Sequence, residues 1–254
     1  MSQSMYSHPN GELGFILTLR LIRVLGISGG MKTLTAALAA LVLIGTAHAK
    51  VVYVDDNASA GGDGTSWATA HKHLQDALAG VASGDEIWVA EGTYKPDQGA
   101  GKTAGDRTAT FSLVSRVGMY GGFRGTETTR TLLGDGNQTI LSGEINAEKE
   151  LWSLHVVTLS GWDPGSIVID GFRITKGNAN GELTTNYSTD YPINHSRGGG
   201  CTTINPNPFT LTMTNCVFTG NSASGMGGGM YFKSGEDKQR FYHYGTKAWL
   251  TLGE

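Results

Sequence analysis

Short apolar runs, each broken by glycine, asparagine or aspartate, recur along most of the chain after residue 50. Val51–Val54, Glu86–Ala90, Thr110–Val114, Val117–Tyr120, Thr139–Leu141, His155–Leu159, Ile167–Ile169, Phe172–Thr175, Phe209–Met213 and Val217–Phe218 are rich in β-branched and aromatic residues. Their length and flanking turn residues predict strands. One segment has a different period. Trp67, Ala70, Leu74, Ala77, Leu78 and Val81 fall at helical spacing, with Ser66 placed as a cap and Gly80 and Gly84 at the end. That spacing predicts a helix over 67–81. No alternation of strand and helix follows it, which argues against a doubly wound sheet.

A second pattern is a repeat. Residues 215–231 set Val217–Phe218 before the Asn221 turn and the triplet Gly227–Gly229, which leads into Met230–Tyr231. Upstream, Ile174–Thr175 precedes Gly177–Asn178, and the triplet Gly198–Gly200 leads into Cys201. Recurring strand, asparagine turn and return strand predict an all-β fold built as a parallel β-helix, a solenoid capped at its N-terminal end by the amphipathic helix. The spacing from Ile174 to Phe218 predicts two rungs of roughly twenty-odd residues each. Sharp corners need residues that tolerate positive φ, which Gly and Asn supply. A side-chain amide at a corner can satisfy buried backbone groups of the next rung, a role expected for Asn178 and Asn221. A Greek-key sandwich is the structural alternative, and the repeated asparagine-then-glycine order fits it poorly.

Composition narrows the class. Of 254 residues 38 are glycine, 16% are charged and 9% aromatic, and the net charge is −3. Glycine without a three-residue period is not collagen, and this much apolar content is not disorder. Neither the charge nor any Lys/Arg cluster points to nucleic acid.

The N-terminal part divides into two. From Met31, a basic start at Lys32, an apolar stretch Leu34–Ile44 and the small residues Ala47 and Ala49 form a bacterial-type secretory leader, with cleavage expected between Ala49 and Lys50. The apolar stretch is short for a membrane span, and none is expected in the mature chain. Residues 1–30 read as an upstream segment outside the true coding start. The domain organisation expected is therefore 31–49 as leader, 50–94 as strand and helix cap, 95–232 as rungs and 233–254 as an atypical, truncated-looking tail.

The run Val52–Asp55, Gly62–Trp67, Leu74–Leu78 and Gly84–Tyr94 resembles the N-terminal capping region of secreted bacterial right-handed parallel β-helix proteins. Tyr120–Glu127, Thr139–Gly143 and Asp170–Thr175 fit the same group. Phe218 and Asn221 match the Phe-x-x-Asn motif of polymorphic outer-membrane-type repeats, and Gly228, Gly229 and Met230 approximate their Gly-Gly-Ala-aliphatic motif. The resemblance implies a right-handed coil of the pectate-lyase-like superfamily, secreted or held at the cell surface. Family members usually continue with more rungs and a C-terminal sorting segment, which 233–254 lacks. His71 stands where the group usually carries an aromatic residue.

Chemistry is less legible. The acidic turn Asp55, Asp56, Asn57 and Asp63 invites calcium, but the EF-hand order is absent and a structural turn is the plainer reading. Cys201 and Cys216 could pair in an oxidising compartment or pack as small apolar residues. Neither has a partner at zinc-ligand spacing, so no metal site is assigned. Gly101-Lys102-Thr103 lacks the rest of a phosphate loop. A lyase of this architecture would need a Lys or Arg base beside carboxylates. Glu144, Glu148, Glu150, Asp163, Asp170, Glu182 and Asp190 are the acids on offer, with Asp170 and Arg173 expected on opposite faces of one strand. No catalytic residue is assigned and no cofactor is expected. The reading is a monomeric, non-catalytic adhesive or glycan-contacting protein, with Tyr187 and Tyr191 as candidate stacking residues. The alternatives are a polysaccharide lyase or glycoside hydrolase, and a truncated fragment without function.

Overall fold

A computed structural model describes residues 49–113, 115–130, 138–159, 165–181, 196–203, 210–225, 227–231 and 240–243. Residues 1–30, the expected leader up to His48, Tyr187, Tyr191, Asp163, Glu182 and Asp190 lie outside them. The described part belongs to one compact unit, Ala49–Glu254. Its strands are β1 Val51–Val54, β2 Glu86–Ala90, β3 Gly92–Tyr94, β4 Phe111–Leu113, β5 Gly118–Phe123, β6 Thr139–Ser142, β7 Val157–Leu159 and β8 Ser166–Asp170. They continue as β9 Phe172–Thr175, β10 Asn178–Ala179, β11 Cys201–Thr203, β12 Thr210–Thr214, β13 Val217–Thr219, β14 Ser222–Ala223, β15 Met230–Tyr231 and β16 Arg240–His243.

Among the described residues every strand pairing is parallel. The strands fall into sheets ordered β1-β2-β5-β8-β12-β16, β13-β9-β6-β3, β15-β11-β7-β4 and β10-β14. The fold is therefore mostly strand, with several parallel sheets and no closed barrel. A Greek-key sandwich would require antiparallel neighbours, and the pairing excludes it. From β2 onward the chain visits the first sheet, then the second, then the third, and returns to the first.

Register explains the residue choice. Tyr94, Leu141, Ile174 and Phe218 stand opposite one another in successive strands of one sheet. Phe111, Val157, Cys201 and Met230 do so in another. The strands β8 and β9 alternate buried Ile167, Ile169, Phe172 and Ile174 with half-buried or exposed neighbours. The inward columns join in a single buried cluster that runs from Val52 to Phe218. Each such side chain withdrawn from water contributes about 1.5–3 kcal/mol.

Corners also align. Gly171 and Asn215, Lys176 and Gly220, and Gly198 and Gly227 occupy matching positions between neighbouring strands, and all six have left-handed φ between 50° and 82°. Lys176 is the costly member, because a Cβ disfavours this conformation. The side chain of Lys176 pairs with Glu144 and lies over the Trp152 ring at 5.7 Å.

Four expectations change. Ile174 pairs directly with Phe218, so a single circuit separates them rather than two short rungs. The equivalent corner groups Gly177 and Asn221 are 44 positions apart, because the circuit includes the long connection after Ala179. The helix over 67–81 is interrupted: Trp67–Thr69 is a 3-10 turn and α1 is Leu74–Gly80. Residues 70–73 are not helical, because His71 bridges to Val54 and exchanges backbone bonds with Tyr53 and Asp55. Ser66 makes no side-chain cap. The buried face of α1, Leu74 and Ala77, still joins the main core, with Leu78 and Val81 packed against it. Asp170 and Arg173 belong to different sheets on either side of the Gly171 corner, not to one strand. Finally, the tail assigned to 233–254 contains β16, whose Phe241 stands opposite Leu211.

Candidate functional site

Trp67 leaves the main core for a second one. On the outer side of the first sheet, Trp88 and Phe123 stack at 4.7 Å, while Tyr53 meets Trp67 at 4.8 Å and Trp88 at 5.8 Å, both edge-on. Trp67 Nε1 donates to the Glu127 carbonyl. Arg130 lies over the Tyr120 ring at 4.1 Å and reaches Glu86 Oε1 at 3.4 Å. An aromatic platform of this kind suggests sugar stacking. Its central rings are too covered for that, with Trp88 6%, Tyr120 9% and Phe123 2% exposed, and Tyr53 and Trp67 are half-buried against them. They form a satellite core that ties the 124–130 connection to the sheet.

A cavity of about 240 Å³ opens where the chain enters α1, lined among others by Asp56, Lys72, His73, Thr93, Tyr94 and Lys95. Its wall is built by backbone satisfaction. Lys72 Nζ donates to the carbonyls of Asp56 and Ala58, at 3.0 and 3.3 Å, and holds down the turn after β1. Asp56 Oδ2 accepts the Thr93 N–H at 3.0 Å. Gly92, at φ 151°, is needed under that carboxylate, since a Cβ would lie 2.4 Å from Asp56 Oδ2. The Tyr94 hydroxyl donates to Ala90 O and accepts from Asp56 N–H. Burial, with Asp56 nearby, drives its pKa far above the usual phenol value, so it stays protonated. Lys72, His73 and Lys95 line the cavity beside the Asp56 carboxylate, with Lys72 Nζ and Asp56 Oδ2 both bonded to backbone. It is smaller than the usual small-molecule site of about 300–1,000 Å³. Sequence period hid it, because residues 70–73 read as helix and the other walls come from distant segments.

The acidic turn is occupied by its own backbone. Asp55 Oδ1 accepts Asn57 N–H at 2.9 Å, and Asp63 Oδ1 accepts the Thr65 N–H and hydroxyl. Hydrogen bonding from the Thr69 hydroxyl, then from the Thr65 N–H and the Thr65 hydroxyl, holds the Asp63 pKa down at about 2. These are turn-closing carboxylates. Among the described residues no group of three His, Cys, Asp or Glu side chains could hold a metal ion. The acids that a lyase would draw on are dispersed: Glu144 pairs with Lys176, and Asp170 accepts from Asn215 Nδ2.

The repeat motifs resolve into architecture. Asn221 Oδ1 accepts Gly177 N–H and its Nδ2 donates to Ile174 O, both at 2.9 Å. Asn178 does not take the equivalent place, because it stands opposite Ser222. Its Nδ2 donates to Lys149 O, and its Oδ1 accepts the Ser222 hydroxyl. Phe218 fills the core, and the carbonyls of Gly228 and Gly229 accept Gly200 and Cys201 N–H.

Cys201 and Cys216 are free, buried thiols. Burial pushes Cys216 up to about 12 and Cys201 higher still. At pH 8 the folded chain is expected to resist a thiol-specific reagent, with roughly one Cys216 in 10⁴ ionised. In guanidinium without reductant, two thiols should then titrate. If none titrates after unfolding, the cysteines are paired and this assignment is wrong.

Compared with known proteins, the chain matches no family model, and no curated protein or solved structure is significantly similar to it.

Proposed function

We propose that the chain folds as a right-handed parallel β-helix, exported to the cell surface, and acts there as a monomeric, non-catalytic glycan-contacting protein. The observation that carries this reading is the in-register stack of outward positions. Arg173 and Val217 stand together, as do Thr175 and Thr219, and Asp170 and Thr214, all half-buried in parallel sheets. Two of these pairs, Thr175 with Thr219 and Asp170 with Thr214, set polar groups at the strand spacing of about 4.8 Å, a periodicity suited to an extended polymer. Lys95–Arg107, beside the cavity, would contact one end of it. The right hand follows from the general bias of parallel crossovers.

A polysaccharide lyase is the competing reading. The cavity supports it least, because it offers a single carboxylate, and Lys72, the base candidate beside that carboxylate, donates to two carbonyls. Residues 50–254 should be screened for binding on a glycan array and for degradation of acidic polysaccharides, with and without calcium. Binding without new reducing or unsaturated ends is expected. Depolymerisation would overturn the non-catalytic reading, and a coil signal in far-UV circular dichroism would overturn both.

A further inference from the structure

Strand β1 begins at a clamp. Lys50 O accepts Glu86 N–H at 2.9 Å, and the Lys50 nitrogen lies 3.0 Å from Asp85 Oδ1. Asp85 is 5% exposed, and its second oxygen accepts Ala82 N–H at 2.8 Å. The turn Ala82–Asp85 is closed by a backbone bond as well, so the carboxylate is fixed rather than swinging. Ala49 and Lys50 are themselves exposed. A buried carboxylate thus points at the one backbone nitrogen that a leader peptidase would liberate, while the bond to be cut remains accessible.

We propose that cleavage between Ala49 and Lys50 turns Asp85 into the counter-ion of the new N-terminus, and that this ion pair completes the mature fold. The inference rests on the reading of 31–49 as a secretory leader. The step is hydrolysis: water oxygen bonds to the Ala49 carbonyl carbon, the C–N bond breaks, and both water protons end on nitrogen. The products are the Ala49 carboxylate and the Lys50 ammonium. Before cleavage the nitrogen offers Asp85 one neutral N–H. Afterwards it offers a unit charge and three donors, and charge-assisted bonds are roughly twice as strong as neutral ones. Leaving a buried carboxylate without a charged partner is costly, so the gain falls on the folded state. It also falls where it is most useful. In the first sheet β1 is the terminal strand: β2 pairs with all of it on one side, whereas on the other Gly64 and His71 bond only its later part, at Tyr53 and Asp55. Anchoring its first residue fastens an edge that would otherwise fray. The unprocessed chain would be the looser form, which suits passage through an export channel, and removal of the leader would tighten it.

The test begins with the exported protein, whose N-terminus is read by sequencing. Thermal midpoints are then measured for chains beginning at Lys50 or carrying Ala49 ahead of it, each with Asp85 or with Asp85→Asn. With Asp85 the chain starting at Lys50 should melt about 3–6 °C higher. In the Asp85→Asn background that difference should vanish. Should the Asp85→Asn chains fail to fold, limited acylation of the Asp85 protein decides: the Lys50 α-amine should react at least tenfold more slowly when folded than when unfolded. A natural start other than Lys50 overturns the leader reading and the proposal with it. A start at Lys50 with equal midpoints in both backgrounds, or with an unprotected amine, overturns the ion pair alone.

Discussion

Gly177→Ala should cost about 3–5 kcal/mol, a large share of the stability of a folded domain. At this corner the interior is filled by backbone instead of side chains. A Cβ on Gly177 would lie 1.8 Å from Gly199 O and 2.4 Å from Gly199 C, and neither atom can rotate away. Gly199 is held in turn, since its carbonyl accepts Val156 N–H while Gly177 O accepts Ser222 N–H. Gly177 and Gly199 face each other across one circuit, so that circuit would have to widen against its bonds to Val156 and Ser222 to admit one methyl group. Gly80→Ala is the control, because nothing lies within 4 Å of its Cβ direction at the end of α1. It should be neutral or stabilising by up to about 1 kcal/mol. Denaturant titration of both variants reads the contrast, and a Gly177→Ala midpoint like that of Gly80→Ala would refute the pinched-corner account.

That corner also shows what sequence can and cannot deliver. Strand identity was legible in residues such as Ile167, Ile169, Phe172 and Ile174, because alternation is a local property of a pleated strand. Corner chemistry was legible at the two glycine triplets, which lead into Cys201 and Met230, register partners in adjoining strands. Lys176 was not, because its left-handed backbone is imposed by the stack and no feature of lysine announces it. Circuit length was hidden for a related reason: connections of any length can return the chain to the same register, so Ile174 and Phe218 looked two rungs apart. Trp67 misled through coincidence. Its spacing to Leu74 is helical, yet it serves the outer aromatic cluster while Leu74 serves the inner core. The cavity walls at Asp56, Lys72 and Lys95 meet through tertiary folding alone, and no local period could have joined them. The buried Asp85 facing Lys50 is of the same kind, an acid whose partner lies 35 positions away.

Asn221→Ala should be the next most damaging change, at about 2–4 kcal/mol, because it strands two buried backbone groups at once. The side chain is 8% exposed and bridges successive circuits through Gly177 N–H and Ile174 O. Asn221→Asp separates hydrogen bonding from shape. One oxygen could still accept from Gly177, but the other would face the Ile174 carbonyl, where only a protonated carboxyl can donate. Burial and that carbonyl both disfavour the charged form, so the folded pKa of the new acid should lie above its unfolded value of about 3.9. For an acid raised in this way the folded state holds the proton longer. Stability is then fullest below the unfolded pKa and falls as pH rises through the folded one, by about 1.4 kcal/mol per unit of separation. The penalty relative to wild type should therefore be small near pH 4 and largest near pH 7, as measured by denaturant midpoints across that range. A penalty that stays constant with pH would mean that Ile174 O does not depend on the amide, and the role assigned to Asn221 as a bridge between circuits would fail.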